Sequence, residues 1–146
     1  MNQNRVSSIL IVDDETAVGR IVAAMLAPLT SDIEVVTSGQ EAIEICQGRG
    51  FDVVVSDMRM PNMDGVELMR LLAHDYPSMR RVILTGHVDL DLTMKAINTG
   101  RVHRYLTKPI VERELTASIS EELASGEKER TEIMRLRKVI DQLSSE

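Results

Sequence analysis

A chain of 146 residues, 43% of them hydrophobic, can build one sizeable core. Phe51, Tyr76 and Tyr105 are its only aromatic residues, so Leu, Ile, Val and Met must fill that core. A net charge of −6 argues against a nucleic-acid-reading face as the main activity, because phosphate binding needs clustered Lys and Arg.

The first apolar run, Ile9 to Val12, reads as a strand buried on both faces, and it ends abruptly at Asp13-Asp14-Glu15. The run is far too short for a signal peptide, and no stretch approaches the ~20 apolar residues of a membrane span. A cytoplasmic protein with no membrane contact and no direct nucleic-acid contact is expected. Val18, Ile21, Val22, Met25 and Leu26 recur at helical spacing up to Pro28. Ile33 to Val36 forms a second strand, and Ser38 caps a second helix through Ala42, Ile45 and Cys46 to Gly48-Arg49-Gly50. The lone Cys46 lies on the apolar side of that helix and reads as a small buried hydrophobe.

Asp52 to Asp57 is a third buried strand with an acid at its end, followed by the loop Met60-Pro61-Asn62-Met63-Asp64-Gly65 and a helix carrying Leu68, Leu71 and Leu72. Val82 to Gly86 makes a fourth strand. Leu90, Met94 and Ile97 mark a fourth helix stopped at Asn98-Thr99-Gly100. A fifth strand spans roughly Val102 to Thr107. Lys108-Pro109 and a long helix from about Val111 complete the chain.

Five strands alternating with five helices specify an α/β domain: a doubly wound, flavodoxin-like parallel sheet with right-handed crossovers. The composition shifts at Ser125-Gly126, so residues 1–124 are read as the domain and 125–146 as a helical tail or linker. In that tail Ile133, Leu136, Ile140 and Leu143 follow 3-4-3 heptad spacing with Ile at a and Leu at d, which favours a parallel homodimer. Continued backwards, the register places Glu122, Gly126 and Glu129 at the seam, where pairing would be loose. The alternative is an unpaired polar tail.

In open parallel sheets the active crevice lies at the carboxyl ends of the strands. There the chain offers Asp13 and Asp14 after strand one, Asp57 at the end of strand three, Thr85 after strand four and Lys108 after strand five. With strand order 2-1-3-4-5, the three carboxylates share one pocket. They would repel unless a cation sat among them, and oxygen-only ligation suits Mg²⁺. A carboxylate beside such a metal can attack phosphorus, with Lys108 and the Thr85 hydroxyl receiving the phosphoryl oxygens. Taken singly the same residues are ordinary: an acidic pair after a strand is commonly a helix cap, and Thr-Gly and Lys-Pro are common strand exits. His74, His87 and His103 lack metal-ligand spacing and read as surface or partner-facing residues, with His87, in the loop after Thr85 beside the pocket, the best exception.

The motifs Ile11-Val12-Asp13-Asp14-Glu15, Asp57-Met58-Arg59-Met60-Pro61-Asn62-Met63-Asp64-Gly65, Leu84-Thr85-Gly86 and Tyr105-Leu106-Thr107-Lys108-Pro109 together resemble the receiver domains of two-component response regulators, the CheY-like family, over about residues 7–124. The resemblance implies that Asp57 is the phosphoacceptor, phosphorylated in a Mg²⁺-dependent reaction by a sensor histidine kinase or a phosphotransfer protein. It implies metal ligation by Asp14, Asp57, the backbone carbonyl of Arg59, and Asp13 mainly through water. Thr85 and Tyr105 would form a switch pair, Lys108-Pro109 a cis peptide, and the fourth helix, fifth strand and fifth helix the face that changes toward an output domain or protein. Such a domain assists its own phosphoryl transfer and loss without being an enzyme in the usual sense. Arg59 is a long cation two residues past the acceptor, where it bears on the lifetime of the phosphorylated state. The stretch from Gly100 to Pro109 looks most like receivers joined to cyclic-dinucleotide phosphodiesterase or other signalling outputs. Three rival classes remain: a non-phosphorylated scaffold; a haloacid-dehalogenase-type phosphatase, which demands Asp-x-Asp where this chain has Asp13-Asp14-Glu15-Thr16; and a flavin binder, for which the first loop lacks a phosphate cradle.

Overall fold

Each strand alternates its side chains between two faces, and both faces are apolar. In the computed structural model, which describes residues 5–86 and 101–145, this produces a five-stranded parallel sheet in the order β2-β1-β3-β4-β5. The strands are β1 (Ser8–Val12), β2 (Asp32–Val36), β3 (Val53–Asp57), β4 (Arg80–Thr85) and β5 (Arg104–Thr107). The described helices are α1 (Thr16–Leu26), α2 (Gly39–Gly48), α3 (Gly65–Asp75) and the C-terminal helix α4 (Glu112–Ser144). The helix expected over Leu90, Met94 and Ile97, and His87 before it, lie outside the described residues.

Leu10, Val12, Val54 and Ile83 face α2 and α3, meeting Ala42, Cys46, Leu68, Met69 and Leu72. Ile9, Ile11, Val53, Val55, Val82 and Leu84 face the other way, against Val22 and Leu26 of α1 and Leu115 and Ile119 of α4. Burying each such aliphatic side chain contributes about 1.5–3 kcal/mol, and two cores sharing one sheet explain why the strands read as continuous apolar runs. Cys46 is buried as expected, which pushes its thiol up to about 11.

Local signals place the helix starts. Ser38 caps α2 by accepting from the Glu41 N–H, and Asp64 caps α3 by accepting from the Glu67 N–H at 2.8 Å. The following residue has to be glycine: a Cβ on Gly65 would stand 2.5 Å from the Asp57 carbonyl oxygen. The Gly65 N–H donates to Met58 O at 2.8 Å, so α3 begins pressed against the end of β3.

The composition shift at Ser125-Gly126 is not a break in the backbone, because α4 runs through it. Its first half packs on Leu115 and Ile119, and further along ionic staples replace the apolar contact. Glu122 is only 3% exposed and accepts from Arg80 Nε and Arg104 Nε, each at 2.9 Å. Gly126 is buried beneath the Arg80 side chain, and Arg130 reaches Asp52 at 3.2 Å. Glu122 and Gly126, expected as loose seam positions, therefore face the domain.

Candidate functional site

The carboxyl ends of four strands converge on one acidic crevice. Asp13 follows β1 directly, Asp57 is the last residue of β3, Thr85 the last of β4, and Lys108 follows β5. β1 and β3 are neighbours, with Val12 opposite Ser56, so the acids beyond them come together. Carboxylate oxygens of Asp13, Asp14 and Asp57 all lie within 4.8 Å of one another. The structure thus brings together the three acids that the strand-end reading grouped.

Their surroundings differ. Asp13 is 2% exposed, Asp57 half-buried and Asp14 exposed. Asp13 Oδ1 accepts from the Glu15 N–H at 2.9 Å. Asp13 Oδ2 is buried without a partner, the sole such side-chain atom among the described residues. The helix-cap explanation for the acidic pair fails here, because the N-cap of α1 is Glu15 and no side chain caps that helix. Burial, followed by the negative charges of Asp57 and Asp14, raises the Asp13 carboxyl above its ordinary range despite the Glu15 N–H. An unpartnered buried carboxylate oxygen on an acid clustered with two others is what a small divalent cation would satisfy.

Lys108 closes the crevice. Its Nζ donates to Asp57 Oδ1 at 2.8 Å, while its own N–H pairs with Thr85 O at 2.8 Å and so ties it to the end of β4. Burial alone would lower the ammonium, but the hydrogen bond to Asp57 and the charges of Asp57, Asp13 and Glu15 raise it. The Lys108–Pro109 peptide is cis, as expected. The Met58 N–H donates to the same Asp57 oxygen, Oδ1, at 3.0 Å. Thr85 is 2% exposed beside this group, Arg59 is exposed at the mouth of the loop, and Tyr105 on β5 is 36% exposed.

Sequence reasoning missed the groups at the opposite, amino-terminal ends of the strands. His103, read as a surface residue, has an interior role. Its Nδ1 accepts from the Arg81 backbone N–H at 2.9 Å, and burial followed by the nearby Arg80 and Arg81 charges drops the imidazole to about 4. Arg81 is 5% exposed and donates to the carbonyls of Arg101, Pro77 and Met79. One signal was available for Glu122: a lone acid in line with Leu115 and Ile119 on a helix face.

Comparison with known proteins agrees with this geometry. Residues 9–120 match the family described as the response regulator receiver domain. The chain is 30% identical over 119 residues to the transcriptional regulatory protein FixJ of Bradyrhizobium diazoefficiens, covering 82% of this chain and 58% of that one. It is 32% identical over 116 residues to the transcriptional regulatory protein ZraR of Klebsiella oxytoca, covering 80% of this chain and 26% of ZraR. It therefore spans between about a quarter and three fifths of these curated relatives. Among solved structures, the signal receiver domain of an HD domain-containing protein from Pseudomonas fluorescens superposes with a TM-score of 0.82 at 34% identity, over 88% of this chain and 94% of that one. A CheY-like receiver domain from Methanospirillum hungatei superposes with a TM-score of 0.79 at 29% identity, over 86% and 99% of the two chains. With its five parallel strands in 2-1-3-4-5 order and its acidic crevice at their carboxyl ends, this chain belongs to the response regulator receiver domains of two-component signalling, a family of regulators.

Proposed function

We propose that Asp57 is the phosphoacceptor and that Asp13, Asp14, Asp57 and the Arg59 backbone carbonyl hold Mg²⁺. The orphaned Asp13 Oδ2 among three carboxylates carries this reading. When bound, the cation neutralises the acids and polarises phosphoryl oxygens. The chain's own residues do the rest. Asp57 presents a carboxylate oxygen to phosphorus, oriented by the Met58 N–H, and Lys108 offers a compact positive charge to the incoming phosphoryl oxygens. The Thr85 hydroxyl then moves onto the phosphoryl group and the Tyr105 ring turns inward. The surface formed by the expected fourth helix, β5 and the C-terminal helix changes with it.

In this reading a sensor histidine kinase or phosphotransfer protein supplies the phosphoryl group in the cytoplasm, and the domain assists both its gain and its loss. Residues 1–124 are the receiver, and 125–146 form a helical linker fastened as far as Arg130. A second copy pairs with the free end through Ile133, Leu136, Ile140 and Leu143, and an output domain or protein reads the result. The test is intact mass after incubation with a small phosphodonor and Mg²⁺. Wild type should gain one base-labile phosphoryl group and Asp57→Asn none. Full-rate labelling of the variant, or none of wild type by any donor, would overturn the proposal.

A further inference from the structure

β4 and β5 end at the crevice and begin beside the C-terminal helix. Thr85 is the last residue of β4 and Lys108 follows β5, both at the phosphoryl site. Their first residues are Arg80 and Arg104, and these two guanidiniums share one carboxylate: Arg80 Nε donates to Glu122 Oε1 and Arg104 Nε to Glu122 Oε2, each at 2.9 Å. Arg104 Nη2 also donates to Glu121 Oε2 at 2.7 Å. Side chains alternate along a strand, so Arg104 and Leu106 point toward α4, where Leu106 joins the cluster of Leu115 and Ile119, while Tyr105 points the other way. Glu122 thus touches the two strands that carry Thr85 and Lys108, with Arg104 about 13 Å from Lys108 along the chain.

We infer that the Arg80–Glu122–Arg104 bridge is a catch on the C-terminal helix that phosphorylation of Asp57 loosens, an inference that rests on the phosphoacceptor reading above. β5 is the last strand of the sheet and is hydrogen-bonded to β4 alone among the described strands, so it is the least restrained of the pair. The His103 N–H to Arg81 O and the Lys108 N–H to Thr85 O, each at 2.8 Å, pin its register at both ends. β5 therefore cannot slide, and a pull at Lys108 reaches Arg104 as a tilt of the strand. Both Glu122 bonds are made while Lys108 Nζ sits on Asp57 Oδ1 at 2.8 Å. A phosphoryl group joined to Asp57 carries the negative charge outward, and Nζ follows it onto the phosphoryl oxygens. Glu122 is 3% exposed and its two oxygens belong to one rigid group, so it cannot follow Arg104 without losing Arg80, and little water is at hand to replace either. The signal then leaves the domain along α4 itself, which opens more readily beyond Ile119.

The test is amide hydrogen exchange in residues 120–130 of the full chain in Mg²⁺, with and without acetyl phosphate, the phosphorylated fraction being read as intact mass in the same samples. In wild type, phosphorylation raises exchange there by about threefold or more. Arg104→Gln, which leaves Glu122 on Arg80, takes up the phosphoryl group as wild type does, but its exchange with and without phosphodonor is the same. If Arg104 served only to stabilise the helix, the variant would exchange faster in both states and keep the wild-type ratio between them; that result overturns the inference. Fully phosphorylated wild type with exchange unchanged or slowed also overturns it and leaves the phosphoacceptor reading standing. Wild type that takes up no phosphoryl group overturns both.

Discussion

Replacing Asp13 with Asn tests the electrostatics of the crevice without emptying it. Asn keeps an oxygen to accept from the Glu15 N–H, which Asp13 Oδ1 now does at 2.9 Å, and removes one of three negative charges within 4.8 Å. Two unit charges at that separation repel by about 3 kcal/mol at an effective dielectric constant near 20. Lys108, 2.8 Å from Asp57, already offsets part of this. The metal-free variant should therefore be more stable than wild type by about 1–2 kcal/mol at pH 7, read from urea midpoints at constant slope. Because the folded carboxyl is raised above 3.8, the wild-type deficit is fully present well above the folded value. It fades as pH falls and vanishes below the unfolded value, so the two unfolding curves should converge near pH 3.5. Mg²⁺ should reverse the order: wild type gains about 2.7 kcal/mol at a hundred times its dissociation constant, and the variant gains much less. A variant less stable than wild type without metal at pH 7 would refute the reasoning.

The remaining predictions concern the opposite end of the sheet. Glu122→Ala removes a carboxylate that is 3% exposed from between Arg80 and Arg104, which among the described residues keep Glu129 and Glu121. Stability should fall by about 2–4 kcal/mol, as for a broken buried pair, whereas Glu129→Ala, on an exposed partner, should cost under about 1 kcal/mol; equal small losses in the two variants would show that Glu122 is not the fastening point. His103, held neutral down to about 4 against 6.5 in the unfolded chain, makes the protein lose stability as pH falls through that window, by at most about 3 kcal/mol. His103→Asn, which keeps an acceptor for the Arg81 N–H, should flatten the curve between pH 6.5 and 4; an unchanged slope in denaturant titrations would exclude His103 as its source.

The strands, the described helices and the crevice were legible because each depends on local pattern. Ile9 to Val12 and Val53 to Val55 are apolar at every position, which only a sheet covered on both faces permits, and Asp13, Asp57, Thr85 and Lys108 each mark where such a strand must stop. Ser38 and the Pro-Gly loop before α3 are signals contained within a few residues. What the sequence could not decide was how charged residues far apart in the chain would be used. Glu122 and Gly126 sit on the same heptad line as Ile133 and Leu136, and the line looks alike whether it faces a partner or the chain's own domain. Only the fold, by bringing Arg80 and Arg104 from the starts of adjacent strands to one carboxylate, settled that the first half of that line faces inward. His103 looked like a surface residue because nothing nearby in sequence reveals an N–H 22 positions away that needs an acceptor. Apolar periodicity depends on neighbours three or four residues apart and so is written locally. Ion-pair and hydrogen-bond partners are chosen by whichever strands become adjacent, and that depends on the order of the sheet.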